Sequence, residues 1–391
     1  MTHKERLLAA CRGERPDRIA WVPRLDIWYN ANLRAGTLPT PYRGQTLREI
    51  TTALGLGYHA VVPDMLNLRS ADDSVDRCLG IFRLKEMPFE TRLRGVEREV
   101  STDGDMTRVT YHTPAGSVWG SFSYTEEMRR AGTTISWIHD HVLKRPEDSC
   151  VLEHIFSNLE VVPAADGYDR WREWVGEDGL AVAHVSAAAG PMQHIMRDLL
   201  PMTDFFLWRH DYPDVMAALA RSMEPWYRAI VEAALDSNAE VLYFGSNYDD
   251  AITYPPFFED HILPWLKWAS ELAHGRGKLL LTHTDGENER LLALYRRAGF
   301  DVADSICPAP MTNLTLSEYV EALPEVTIWG GIPSVALLPE SMPEADFERL
   351  VDETLVLAAG RPRLILSVAD TLPPNASFER FLHITRRVRA A

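Results

Sequence analysis

His283 and Asp285 stand two residues apart in the segment KLLLTHTDG, and Gly286 follows at once. In an extended chain side chains alternate with period two, so this imidazole and this carboxylate share one face. Side by side they can hold one metal ion or work as an acid/base pair. They can equally form a structural pair, the carboxylate orienting the ring while Gly286 begins the next helix. Cys307 and Asp370 end later apolar runs, DVADSI and RLILSVA. Each is a further candidate donor, a soft thiolate and a hard carboxylate. A cysteine also suits a small core position, and Asp370 suits a turn or helix cap.

Other apolar runs end in polar residues too. Asp26 follows IAWVPRL, Asp64 follows HAVVP, and Asn247 and Asp249 follow EVLYFGS. Asp64 is a candidate acid/base group, and Asp26, Asn247, Asp249 and Asp370 are candidate substrate contacts. Turn chemistry alone also favours Asn and Asp after a strand. His184 lies among apolar neighbours in LAVAHVS, where core packing and function are both open.

These residues need elements that bring them to one place. The second half of the chain alternates strand-like runs (Glu240 to Ser246, Lys278 to His283, Asp301 to Ile306, Val326 to Gly330, Arg363 to Ala369) with helical segments. The helices are expected at Phe257 to His274, Glu287 to Ala298, Ser317 to Leu323, Ala345 to Ala359 and Phe378 to Arg389. Strands separated by helices pair in parallel through right-handed crossovers. Three upstream runs, Ile19 to Leu25, His59 to Pro63 and Leu180 to Ser186, complete a count of eight. Eight such strands close a (β/α)8 TIM barrel, whose chemistry sits at the C-terminal strand ends. The competing architecture is an open doubly wound sheet, but no glycine-rich phosphate loop accompanies it. Phe82 to Thr125 alternates and carries a DG turn, so it reads as a β-hairpin insertion between strands 2 and 3. Leu143 to Ala165 and Tyr168 to Val175 read as helical. The expectation is one domain over residues 1–391.

Of the 391 residues, 46% are hydrophobic and 25% charged, enough for a large core. The formal net charge of −16 repels polyanions, so nucleic acid is not an expected partner. The four cysteines form no CxxC pair, which argues against a disulfide framework and fits a reducing, cytoplasmic setting. No run of 18 apolar residues exists, so no membrane partner is expected.

The segments ERLLAACRGERPDRIAWVPRL, EVLYFGSNYDDAITYPPFFEDHILPWLKW, KLLLTHTDGENERLLALYRRAGFDVADSICPAPMTNLTLSEYVEAL, VTIWGGIPS and LILSVADTLPPNASFERF together resemble the superfamily of uroporphyrinogen decarboxylase and the cobalamin-dependent methyltransferases. The resemblance covers most of the chain and implies the β/α barrel. Decarboxylases of that group carry an arginine-rich stretch after the first strand, where this chain has only Arg24 and Arg34. Asp64 in VVPDML resembles their catalytic aspartate. The methyltransferases hold zinc with His-x-Cys and a later cysteine. Here His283 matches the histidine, Asp285 replaces the first cysteine, and Asp370 lies at or beside the second.

The resemblance implies a methyltransferase or demethylase that moves a methyl group between a small methylated compound and a corrinoid on a partner protein. His283 and Asp285, with Asp370 or Cys307, would bind zinc or another divalent metal, or polarise the leaving heteroatom. Asn247 would orient the substrate. A decarboxylase or lyase for a small carboxylated substrate or tetrapyrrole is the second reading, with Asp64, His283 and Asp285 as acid/base groups. A non-catalytic corrinoid- or tetrapyrrole-binding protein is the third. The expected partners are the small-molecule substrate and a corrinoid protein, with a homodimer left open.

Overall fold

A computed structural model describes residues 1–61 and 69–391. Asp64 lies outside the described residues, as does the end of the expected strand His59 to Pro63. In chain order the strands are β1 (Ala20–Trp21), β2 (Phe89–Leu93), β3 (Glu97–Asp103), β4 (Met106–Thr113), β5 (Gly116–Ser123), β6 (Trp137–Asp140), β7 (Leu159–Pro163), β8 (Ala183–Ser186), β9 (Val241–Ser246), β10 (Leu279–His283), β11 (Val302–Ile306), β12 (Thr327–Pro333) and β13 (Leu364–Ala369).

The chain has a mixed α/β fold around a seven-stranded sheet in the order β1-β13-β12-β11-β10-β9-β8. All its pairings are parallel. Helices Pro213–Leu235, Leu263–Gly275, Leu292–Ala298, Leu316–Ala322 and Glu344–Gly360 make the crossovers from β8 to β13, and Phe378–Ala390 follows the last strand. Parallel strands need such long connections, which cover their faces and make them read as apolar runs. Every residue of β9, β11, β12 and β13 is buried.

The segment 57–60 bonds to β1 at one edge of this sheet and to residues 178 and 182, which lead into β8 at the other. Gly57 N–H donates to the Trp21 carbonyl at 3.1 Å, Tyr58 N–H to the Asp178 carbonyl at 2.7 Å, and Val182 N–H to the Ala60 carbonyl at 3.0 Å. One face of the sheet carries a small apolar cluster of Ala20, Val22, Val61, Leu180, Val182, Val241, Tyr243, Leu281, Val302, Trp329 and Ile365. Leu7, Ala10 and Cys11 of the helix His3–Arg12 complete it. The larger core lies between the other face and the helices.

The insertion is larger than the expected hairpin. β3, β4, β5 and β6 form a four-stranded antiparallel sheet, and β2 pairs with β7. The DG turn falls where expected, with Asp103 opposite Met106 and Gly104 at φ +56°. The stretch Leu143 to Ala165 departs from its helical expectation. Its α-helical part is Ser149–Ser157 with Ala165 opening the next helix, and LEVVP forms β7 because β2 offers it a partner. The 23-residue helix Pro213–Leu235 was not anticipated, and it carries the breaker Pro225 inside. Among the described residues, no helix is long and apolar enough to cross a membrane.

Candidate functional site

The face that bears the small apolar cluster changes character at the C-terminal strand ends. Two residues after Val22 comes Arg24, after Val182 His184, after Leu281 His283, after Val302 Asp304 and after Ile365 Ser367. The period of two keeps each polar residue on the face of its apolar predecessor. A polar layer therefore lies directly above an apolar one.

His283 and Asp304 are register partners in the parallel β10–β11 pair. Side chains of paired residues stand side by side, and His283 Nδ1 meets Asp304 Oδ2 at 2.7 Å. The other ring nitrogen, Nε2, lies 3.6 Å from Asp370 Oδ1. Single atoms of His283, Asp285 and Asp370 all fall within 4.8 Å of one another. Asp370 accepts hydrogen bonds from Arg24 Nη1 at 3.1 and 3.2 Å and from Ser305 Oγ at 2.8 Å. Asp285 accepts from Cys307 Sγ at 3.2 Å and from Asn247 Nδ2 at 3.5 Å.

Extra residues in the strands aim these groups. β11 places Asp304 to Ile306 against only Trp329 to Gly330 of β12, so Ser305 is the additional residue, at φ +66°. Its hydroxyl turns to Asp370 as a result. β9 is bulged opposite Leu281 to His283, where Gly245 has φ +84°, and Asn247 follows at φ +55°. Bulges bend a strand and redirect its side chains, which is why they gather beside sites. Gly286 needs its missing side chain: at φ +121° a Cβ would lie 2.7 Å from the Tyr248 carbonyl oxygen.

The carboxylates differ electrostatically. Burial alone would raise Asp370, but Arg24, His283 and Ser305 hold it down at about 2. Burial and the neighbouring Asp370 charge push Asp285 above the usual carboxylate range. Burial pulls His283 down, but the bond from Asp304 and the charge of Asp370 outweigh it, and its pKa is raised.

The other anticipated residues fall as follows. Asp26 grips Arg24 with both oxygens, at 3.0 and 3.3 Å, and so stands behind the cluster. Asp249 spends its oxygens on the backbone N–H groups of Ala251 and Glu287, at 2.9 and 3.3 Å, which is turn chemistry. Cys307 lies outside the cation-sized cluster of three, and burial with Asp285 beside it keeps its thiol protonated. It is a donor to Asp285, not one of the converging acceptors. Sequence reasoning missed Asp304, although a carboxylate inside the apolar run VADSI demands a partner. It also missed His59, whose ring meets Trp329 edge-on at 5.6 Å and which burial lowers to about 4. Arg24 and His59 both border a cavity of about 240 Å³, with Asp26, Tyr29 and Trp171 on its walls.

No family model matches the chain, and no curated protein matches it. Among solved structures it is similar to a methyltransferase from Methanosarcina mazei, at 17% identity and a TM-score of 0.49, over 100% of this chain and 98% of that one. At that identity and score the likeness assigns neither family nor activity to this chain.

Proposed function

We propose that this chain is an enzyme that moves a methyl group between a small methylated compound and a corrinoid on a separate protein, at the mouth of a closed eight-stranded β/α barrel. Closure is supported by the segment 57–60, which bonds to β1 on one side and to the approach to β8 on the other. It is also supported by the apolar cluster that takes Val61, next after this segment, and residues from every strand of the sheet or its approach. Alternate residues from all strands of a ring meet in its interior.

The observation that carries the functional reading is the convergence of His283, Asp285 and Asp370 from two strand ends onto one point. These residues fit a divalent metal. Asp304 holds Nδ1 of His283, which leaves Nε2 to face the two carboxylates. A histidine oriented by a carboxylate in this way is the usual support of a metal-binding imidazole. The charges agree: Asp285, Asp304 and Asp370 face Arg24 and one imidazole, which leaves room for a cation. An N/O donor set is harder than an N/S set and suits zinc less exclusively. When bound, zinc or another divalent ion supplies Lewis acidity to the heteroatom that carries the methyl group.

The chain's own groups do the rest. Arg24 and Ser305 fix Asp370, and Cys307 and Asn247 fix Asp285. Methyl departure would leave a negative heteroatom, whose charge the cation held by His283, Asp285 and Asp370 would balance.

The test is metal analysis of the purified protein beside His283→Ala, with methyl transfer to a free corrinoid followed by absorbance. Near-stoichiometric metal in the wild type and its loss in the variant are expected. Equal metal in both, or none in either, rejects the metal site.

A second reading has one observation of its own. Asp285 is pushed up while Asp370 is held down, the separation that assigns one carboxyl as acid and the other as base. Acid/base decarboxylation or lyase chemistry would use that pair. Carbon dioxide release from a small acid without any corrinoid would favour it over methyl transfer.

A further inference from the structure

Arg197 lies in the turn Ile195–Leu199 and reaches the C-terminal ends of β8 and β9. Its Nη1 donates to the Ala187 carbonyl and, at 3.1 Å, to Ser246 Oγ. Ser246 Oγ donates to the same Ala187 carbonyl at 2.7 Å. Among the described residues no carboxylate pairs with this guanidinium. The adjacent acid, Asp198, feels its charge but bonds to Arg77 at 2.6 Å. Arg24, by contrast, is matched by Asp26 and Asp370. A guanidinium has five N–H donors in a fork that fits a carboxylate.

Arg197 lines a cavity of about 30 Å³ together with His184, Ser186, Gly80 and Thr91. That space takes a few waters or a carboxylate-sized group, not a whole substrate. His184 is 5% exposed, and among the described residues its Nδ1 has no hydrogen-bond partner. Buried polar atoms are nearly always paired, so this one awaits a ligand or a water. The cavity adjoins the site already described. His184 stacks on Tyr243 at 4.9 Å, the Tyr243 ring stands 6.3 Å from that of His283, and Ser246 is the register partner of His283.

We infer that Arg197 and His184 form an anion subsite for the carboxylate of the methylated substrate, whose heteroatom lies toward His283 and Asp285. The neutral His184 ring offers one N–H, and Arg197 offers its Nε and Nη2 donors beside the Nη1 held by Ala187 and Ser246. The identity of the methylated end rests on the methyl-transfer reading; the anion subsite does not.

The experiment is calorimetric binding of methoxyacetate, 3-methoxypropanoate and 4-methoxybutanoate, each beside its uncharged primary amide. At least one acid is expected to bind the wild type about tenfold or more tighter than its amide, the scale of a charge-assisted hydrogen bond. Arg197→Gln should abolish that preference, Arg197→Lys should keep part of it, and His184→Phe should weaken it. Circular dichroism melting confirms that each variant is folded, and competition by acetate gives a second measure in the wild type alone. Equal binding of every acid and its amide, no binding of any acid, or a preference that survives Arg197→Gln overturns the subsite. A preference that persists in His283→Ala supports it. If the preference holds while no methyl reaches a corrinoid, the subsite stands and the methyl-transfer reading falls.

Discussion

Substituting Asp304 with asparagine keeps the side chain's size and removes its charge. His283 would then lose the partner that fixes its tautomer, while the strand register around it stays the same. Loss of such a support costs roughly 10- to 100-fold in metal affinity. Metal titration of Asp304→Asn should show that drop, with an unchanged far-ultraviolet spectrum. Cys307→Ser separates a donor from a ligand. The serine hydroxyl can still donate to Asp285, so metal content should match the wild type in the same titration. His283 and Asp285 were legible in the sequence because their spacing itself states a shared face. Asp304 was not, because its place inside an apolar run looks like strand interior until the neighbouring strand supplies the histidine. Arg197 carries no motif at all; only the fold shows that, among the described residues, no acid has come to meet it.

Elements hold these groups at angles that a regular strand would not give. Gly286 is one such point, since any Cβ there meets the Tyr248 backbone. Gly286→Ala should destabilise the fold by about 1–3 kcal/mol, the range for a residue forced into a poorly populated conformation. Urea unfolding checks this. The alternation of strands and helices after residue 240 was legible because both faces of each strand are covered, which yields unbroken apolar runs. The insertion was legible only in part. β3 is exposed along its whole length and shows no apolar alternation to announce it. β7 was lost inside an expected helix because its pairing with β2 is distant in sequence. The bulges at Ser305 and Gly245 left no sign either, since an extra residue appears only when two strands are laid together.

For the molecule as a whole, buried imidazoles set a limit on acid stability. Burial and the charge of Arg197 lower His184 to about 3 from its ordinary 6.5. The unfolded chain therefore takes up a proton that the folded chain refuses. Stability is full above pH ~6.5 and falls as pH drops from there toward about 3, by roughly 1.4 kcal/mol per pH unit for this one ring. Urea unfolding at pH 7.5, 6 and 5 should show the decline, and His184→Phe should flatten part of it. A slope that is unchanged in the variant would assign the acid sensitivity elsewhere. The helix His3–Arg12 has a consequence of another kind. Leu7, Ala10 and Cys11 lie under the apolar layer, at the end of the strands opposite the polar one. In the closed ring proposed above they act as a stopper. The methylated compound must then enter at the mouth before the corrinoid protein covers it, so on the methyl-transfer reading an excess of corrinoid protein over substrate should slow turnover in a steady-state assay.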